Sequence, residues 1–549
     1  MNPQAAIDVP VLVVGGGPTG MMMAAEIARR GIGCRIVDKT PHASKLSKAL
    51  VIHARTLEIF ENIGIADRFV DAGVKAHGGS VYASGKRILH FSFDNLASRY
   101  NFALMLPQDE TEALLERHLE DLGLKVERSV ELVGLAQTAD AITVTLKHSD
   151  DREEQCRAEY LIGCDGAHSA VRHALNLGFD GAEYEENFAL ADIRIDSSMP
   201  DDEICGFASE KGLVFFFPIT HGRYRMIADV DAERPGGEPK LEDLQKIVDE
   251  QCHIPARLHD PKWMAYFKIH RRQASAYRAG RAFLAGDAAH IHSPAGGQGM
   301  NTGLQDAYNL AWKLALTMKG LAKPALLDSY GAERHAVGRA VLKFSDTMTR
   351  VMELRNPVAA SIRNRLAPVL SGSDMFRDAA TRRVAELEIN YRESPIVGEY
   401  HEGLFASLAS FGGTPRAGDR ALDAEGLRLR DGKSARLFEL LRGNDHKLLL
   451  FGGARAGASE YAALASTAKQ ITDKYQGNVT AYVIAGGNQP DATAGWSGGV
   501  IIDDTDALHR AYQAVSSCAY IIRPDGYVAY RSFPADAAHL MEYLGRIFV

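Results

Sequence analysis

The 549-residue sequence predicts an α/β protein: a Rossmann-like nucleotide-binding domain interrupted by an inserted mixed β-sheet, with a smaller α/β domain at the C-terminal end. Three observations predict it. The chain opens on an apolar strand, a glycine turn and a helix. A second strand, glycine turn and helix occupy Arg281–Gly303. Between them, from about 175 to 270, strand-like pieces dominate, and after about 415 strands and helices alternate. A chain this long exceeds one core, so roughly two to four domains are expected.

The first unit runs strand Pro10–Val14, turn Gly15-Gly16-Gly17-Pro18-Thr19-Gly20, helix to Arg30 closed by Gly31, and strand Cys34–Val37 ending at Asp38. Gly15, Gly17 and Gly20 form GxGxxG between strand and helix, with an acid about 20 residues on. That combination suits a dinucleotide. Backbone without Cβ lets the pyrophosphate approach, the helix N-terminus favours its charge, and one carboxylate can accept from two ribose hydroxyls. Pro18, Thr19, Lys39 and Lys48 join the candidate cofactor contacts.

A helix is expected over Ala54–Ile63, ended by Gly64, and another near Asp109 with Glu112 as a capping box. Period-two alternation marks strands between about 130 and 160. The strand Tyr160–Gly163 runs into Cys164-Asp165-Gly166. In the inserted region the strands are Phe188–Asp196, Leu213–Pro218 and Tyr224–Val230. If alternate residues of Val214-Phe215-Phe216-Phe217-Pro218 face a pocket, they make it apolar; a core strand is the equal alternative. Tyr224, Arg225, Tyr266 and His270 are the polar candidates from this sheet, against a core or rim role for each.

In Arg281–Gly303 an acid at a strand end, Gly286-Asp287, precedes a glycine-rich turn and an amphipathic helix bearing Leu304, Ala307, Tyr308, Ala311 and Leu314 on one face. The pattern suits a polyanionic, ring-bearing ligand. His290 and His292 flank the turn without a third ligand, so no metal is expected. Ser410–Asp419 reads as a linker.

A net charge of −8 offers no basic face for nucleic acid. The six cysteines form no CxxC and read as reduced thiols of a cytoplasmic protein. No basic-then-apolar leader opens the chain, and no run of 18 apolar residues predicts a membrane span.

Together GxGxxG, Cys164-Asp165-Gly166 and Gly286-Asp287 resemble the single-component (class A) FAD-dependent aromatic hydroxylases, phenol and polyketide hydroxylases among them. The likeness is close over roughly residues 8–350 and continues through Pro415–Asp419 and Arg523–Tyr527. It implies a discontinuous FAD-binding domain (1–75, 105–180, 270–350), a substrate-binding sheet (76–104, 181–269), a helical segment (351–409) and a thioredoxin-like domain (415–549). By the same resemblance Arg55 and Gln108 contact FAD and Asp165 lies near both FAD and the nicotinamide dinucleotide. Asp287 binds the ribityl chain, Pro294 faces substrate, and Gly297, Gly299, Met300 and Asn301 surround the flavin.

The implied activity uses NADH or NADPH and O2 to hydroxylate a small aromatic, phenolic substrate through a flavin C4a-hydroperoxide, in a homodimer. The alternatives are a flavin oxidoreductase without oxygen insertion and a non-catalytic flavin- or ligand-binding protein. The phenol-deprotonating base is open. Where some relatives carry Asp or His this chain has Leu50, and His53 is the nearest candidate.

Overall fold

The computed structural model describes residues 6–43, 49–230, 238–293, 296–352, 374–402, 415–453, 456–487 and 496–549. The chain divides into two compact units. One comprises residues 1–58, 65–307 and 334–387; the other comprises 59–64, 308–333 and 388–549.

The first unit holds two large sheets. The central path of one is ordered Arg278–Ala279, Ala282–Leu284, Glu153–Gly163, Val9–Val14, Cys34–Asp38, Val126–Arg128. Val9–Val14 lies parallel to both of its neighbours, and Ala282–Leu284 runs parallel to Glu153–Gly163. Val11, Leu12, Val13, Leu161, Ile162 and Leu284 are all buried, which is why these strands read as unbroken apolar runs. The hairpin Val130–Gln137/Ile142–His148 extends this sheet antiparallel, with Ile142, Val144 and Leu146 inward.

The second sheet is ordered His290–Ile291, Ala256–Ala274, Phe179–Ser197, Arg223–Val230, Gly212–Thr220, Glu203–Ser209, Gly78–Ala83, Lys86–Ser92. The strand at Phe188 begins at Phe179 because its pairing with Ala256–Ala274 continues across a register shift between Glu183 and Asn187. The helix Leu241–Gln251 covers one face and seats Leu244, Ile247 and Val248 against Ala191, Val214 and Met226. Packing of this kind, not strand propensity, fixes the register, since a one-residue slip would expose the whole apolar row.

The expected helix near Asp109 is Gln108–Asp121, entered through Pro107. Glu112 does not close a capping box there; its carboxylate accepts from Gln108 Nε2 at 2.8 Å. Pro107 fixes the entry geometry, and the i,i+4 pair replaces the reciprocal cap.

The second unit has its own eight-stranded sheet, with His446–Phe451 between an antiparallel neighbour, Cys518–Ile522, and a parallel one, Val479–Gly486. Ala458–Lys474 and Ala537–Ile547 pack on it through Leu464, Ile471, Leu540 and Leu544. Its buried charges balance. Glu333 accepts from Lys313 Nζ (2.7 Å), Arg523 Nη1 (2.7 Å) and Ser394 Oγ (2.6 Å), while Asp525 holds the other side of Arg523 at 2.5–2.9 Å. Burial alone would raise the Glu333 carboxyl, but Arg523 and Lys313 beside it hold it well below the usual carboxylate range. Such a knot contributes specificity more than net stability, but loss of one member would leave a charge uncompensated.

Candidate active site

The glycine turns named from sequence converge at the carboxyl ends of the parallel strands. Gly15, at φ +111°, lies so close to the next strand that a Cβ there would overlap the Cys164 carbonyl; one on Gly20 would overlap the Gly15 carbonyl oxygen. A Cβ on Gly286 (φ +61°) would sit 2.6 Å from Thr19 Oγ1, and one on Gly303 3.2 Å from Gly286 Cα. Thr19 is therefore the point where the first turn, the Gly286-Asp287 turn and the Gly299–Met318 helix meet. That packing demands glycine on steric grounds alone.

Around the turn the helix Pro18–Arg29 has no side-chain cap at its N-terminus. Its first N–H groups are available to an anion. Asp38 Oδ2 accepts from Gly16 N at 2.5 Å, and Oδ1 from Thr40 N at 2.7 Å, so the acid also shapes the turn it faces. Lys39 is exposed. Asp165 accepts from Val171 N at 3.1 Å, and burial raises its pKa. Asp287 leaves its side chain exposed at the head of a short 3-10 turn. Arg55 is buried and paired with Glu58 at 3.1 Å. Gln108 brackets Ala49: Ala49 N donates to Gln108 Oε1 and Gln108 N donates to Ala49 O, both at 3.1 Å.

Asn301 joins the two sides of the site. Its Oδ1 accepts from His53 N (2.9 Å), and its Nδ2 donates to Val51 O (2.8 Å) and Gly297 O (2.9 Å). His53 Nε2 faces Gly296 O at 2.8 Å and must carry the proton there, leaving Nδ1 as a lone-pair atom with no partner among the described residues. Gln298 Oε1 is a second buried acceptor of this kind, although Gln298 Nε2 donates to Arg383 O at 3.1 Å. Gly299 and Met300 begin the helix. Orphaned buried acceptors beside a helix N-terminus and a positive-φ glycine, Gly297 at +66°, fit a flat ligand that both donates and accepts along one edge, as an isoalloxazine does.

Burial depresses His53 and His292 to about 4 from 6.5. For a base with a lowered folded pKa, the unfolded chain takes up the proton first as pH falls. Stability is then complete above 6.5 and is lost between 6.5 and about 4. His53→Phe is expected to flatten that acid limb by up to about 1.4 kcal/mol per pH unit. Thermal denaturation from pH 7 to 4 checks it, and an unchanged slope would remove the assignment.

Sequence reasoning missed the group behind the turn. Asp306, fully buried, accepts from Gly286 N (3.0 Å), His290 Nε2 (2.8 Å) and Arg334 Nε (2.6 Å), and Arg334 Nη2 donates to Thr302 O (3.0 Å). Glu386, also buried, accepts from Gln305 Nε2 at 2.5 Å and is pushed up to about 8 by burial. Asp306 stands inside the Gly299–Met318 helix, away from any strand end, so only the fold brings it under Gly286.

The inserted sheet separates its candidates by face. Tyr224 and Tyr266 lie on the side packed by the Leu241–Gln251 helix, and Tyr224 Oη donates to Asp201 Oδ1 at 2.7 Å. Arg225 lies on the other face. It is clasped by Asp192 through two 2.7 Å bonds, and its Nη1 donates to Ala49 O at 3.0 Å. This last bond turns the Arg225 face toward Ala49–His53 and the cofactor turn. His270 lies on the Ala256–Ala274 strand, its side chain outside the described residues, as are Lys48 and Pro294. Asp503, Asp506 and His509 bring one ligand atom each within 4.8 Å of one another. Both ring nitrogens of His509 are already engaged, with Asp503 Oδ2 at 2.7 Å and Gly452 O at 3.2 Å, and Asp503 Oδ2 also accepts from His509 N at 2.8 Å, so Asp503 is read as bracing a short helix. Among the described residues no helix is long and apolar enough to cross a membrane.

Fold and site thus define an α/β protein with an FAD-type nucleotide site. The family model described as "FAD binding domain" matches residues 8–345, and the chain belongs to that family. The chain is similar to pentachlorophenol 4-monooxygenase of Sphingobium chlorophenolicum, 34% identical over 539 residues covering 96% of this chain and 95% of the relative. Among solved structures it is similar to the anhydrotetracycline hydroxylase OxyS of Streptomyces rimosus, with TM-score 0.74, 27% identity and coverage of 98% and 99%. It is also similar to aklavinone-11 hydroxylase in a ternary complex with FAD and aklavinone, with TM-score 0.76, 25% identity and coverage of 99% of each chain. The resemblance stated from the three motifs is borne out.

Proposed function

We propose that this protein is an FAD-dependent monooxygenase that uses NAD(P)H and O2 to hydroxylate a phenolic aromatic compound. The observation that carries this reading is the meeting of the three motif turns, Gly15 against Cys164 and Gly286 against Thr19, with one face of the inserted sheet turned toward them. Bound FAD would supply the redox chemistry: hydride acceptance from the nicotinamide and delivery of one oxygen atom from O2 to the ring.

The chain's residues do the rest. The Gly15–Gly20 turn and its helix receive the pyrophosphate, and Asp38 the ribose. Gln108, Arg55, Asp165 and Asp287 border the remaining length of the cofactor, with Gly297, Gly299 and Met300 at its ring end. Asn301 holds the turn in register with Val51–His53. His53 Nδ1, neutral and fixed, accepts a hydrogen bond from the phenolic hydroxyl, which orients it and raises the ring's nucleophilicity. The half-buried rings of Phe215 and Phe217 keep water from the reacting atoms. Tyr224 is less suited to proton transfer, since its hydroxyl is engaged by Asp201 on the far face. The C-terminal sheet is read as thioredoxin-like without a redox role, because its cysteine, Cys518, is a lone buried thiol raised above its ordinary pKa by desolvation.

The test is direct. The purified protein should hold FAD, and phenols should stimulate NAD(P)H oxidation with one atom of labelled O2 found in the product. Failure to bind added FAD sinks the reading. Reduction of FAD without oxygen consumption would favour a plain oxidoreductase.

A further inference from the structure

We propose that Asp192 is a specificity-determining residue. By holding Arg225 it keeps the substrate wall electrically neutral, so the site selects an uncharged aromatic with an oxygen that accepts from the Trp263 indole N–H. The inference rests on the monooxygenase reading of the same site and deepens it to substrate class.

Cross-strand register sets out the wall. Trp263, Asp192, Arg225 and Phe217 share one row of the sheet, and Ile227 and Phe215 share the next. All lie on the face opposite the Leu241–Gln251 helix, because their neighbours one residue away, Ala191, Tyr224, Met226 and Phe216, pack with that helix. Arg225 and Asp192 are 1% and 2% exposed. Asp192 takes Nε and Nη2 of the guanidinium at 2.7 Å each, and Ala49 O takes Nη1 at 3.0 Å. A planar guanidinium engaged bidentately has its charge matched, so a substrate carboxylate entering here would be desolvated without a counter-ion.

Two further arginines on this face, Arg194 and Arg223, are both held by Asp260 (3.3 and 2.5 Å), where the side chains of Arg194 and Asp260 are largely exposed. Against the matched pair stands one unmatched donor. Among the described residues Trp263 Nε1 is buried and makes no hydrogen bond, and its ring lies 5.9 Å from the Arg225 guanidinium carbon. A buried N–H without an acceptor points to a ligand oxygen, as a phenol or carbonyl provides.

The experiment uses FAD-loaded protein, with flavin content checked first, so that loss of the cofactor reading is seen separately. 2-Naphthol and 6-hydroxy-2-naphthoate, which differ by one carboxylate, are titrated by perturbation of the flavin absorbance. The native protein should bind the naphthol at least about tenfold more tightly. Asp192→Asn unmasks the Arg225 cation and should shift the ratio toward the naphthoate by about 10–100-fold, the worth of a charge-assisted bond. The double variant Asp192→Leu/Arg225→Met removes both charges and should keep the native preference. Trp263→Phe should weaken the naphthol several-fold without changing the charge preference. Equal binding of the two probes by the native protein overturns the proposal. So does an FAD-loaded Asp192→Asn with an unchanged ratio. Should Asp192→Asn not fold, a double variant that gains the naphthoate overturns it equally.

Discussion

Gly20→Ala is expected to yield a protein that cannot retain FAD. The new methyl would fall on the Gly15 carbonyl oxygen, which is backbone and cannot swing aside. Either the helix Pro18–Arg29 moves away from its strand or the turn opens; both displace the N–H groups meant for the pyrophosphate. Overpacking of this order costs about 1–3 kcal/mol, or about 10–100-fold in cofactor affinity if it falls wholly on the bound state. Flavin fluorescence titration and thermal denaturation check it. Gly17→Ala is the internal control, since nothing lies within 4 Å of a Cβ there, and it should disturb folding far less. Equal FAD affinity in Gly20→Ala and the native protein would dismiss the steric account of the turn.

Asp306→Ala is expected to be the most damaging single change near the site. Arg334 and Asp306 have fully buried side chains, and removing the carboxylate strands the guanidinium along with the Gly286 N–H and His290. Breaking a buried pair on one side costs about 3–5 kcal/mol. Because the orphaned Gly286 N–H belongs to the Gly286-Asp287 turn, FAD retention should fall with stability. Asp306→Asn, which keeps an acceptor for Gly286 N but loses the charge, should fall between. Denaturant unfolding with flavin content measured alongside tests this. A variant within about 1 kcal/mol of native that keeps its flavin would show that the network is dispensable.

Much of the site was legible because glycine at a crossing has no substitute. Gly15, Gly20 and Gly286 stand out in sequence for the same steric reason that they stand where they do. The apolar runs Val9–Val14 and Tyr160–Gly163 announced a sheet covered on both faces, since alternation disappears when neither face meets water. The capping box at Asp109 failed because Pro107 and the Gln108–Glu112 pair supply the same polar needs in another geometry.

The choice among Tyr224, Arg225 and Tyr266 lay beyond sequence. Period-two alternation separates odd from even residues but does not say which set meets the cofactor. The helix Leu241–Gln251 on one side and the Arg225–Ala49 bond on the other supply that answer, and they also bring in Asp192, which carried no signal of its own.

The sequence by itself determined the α/β class, the nucleotide turns and the FAD family, because those rest on local rules: which residues tolerate positive φ, which strands are buried twice, which helix ends await an anion. Tertiary structure alone decided that Thr19, Gly286 and Gly303 touch, that Asp306 lies under the second turn, and that Arg225 meets Asp192 instead of a substrate. These are pairings between distant residues. The free energy of a buried charge or hydrogen bond depends on the partner that the fold supplies, and no local pattern names that partner.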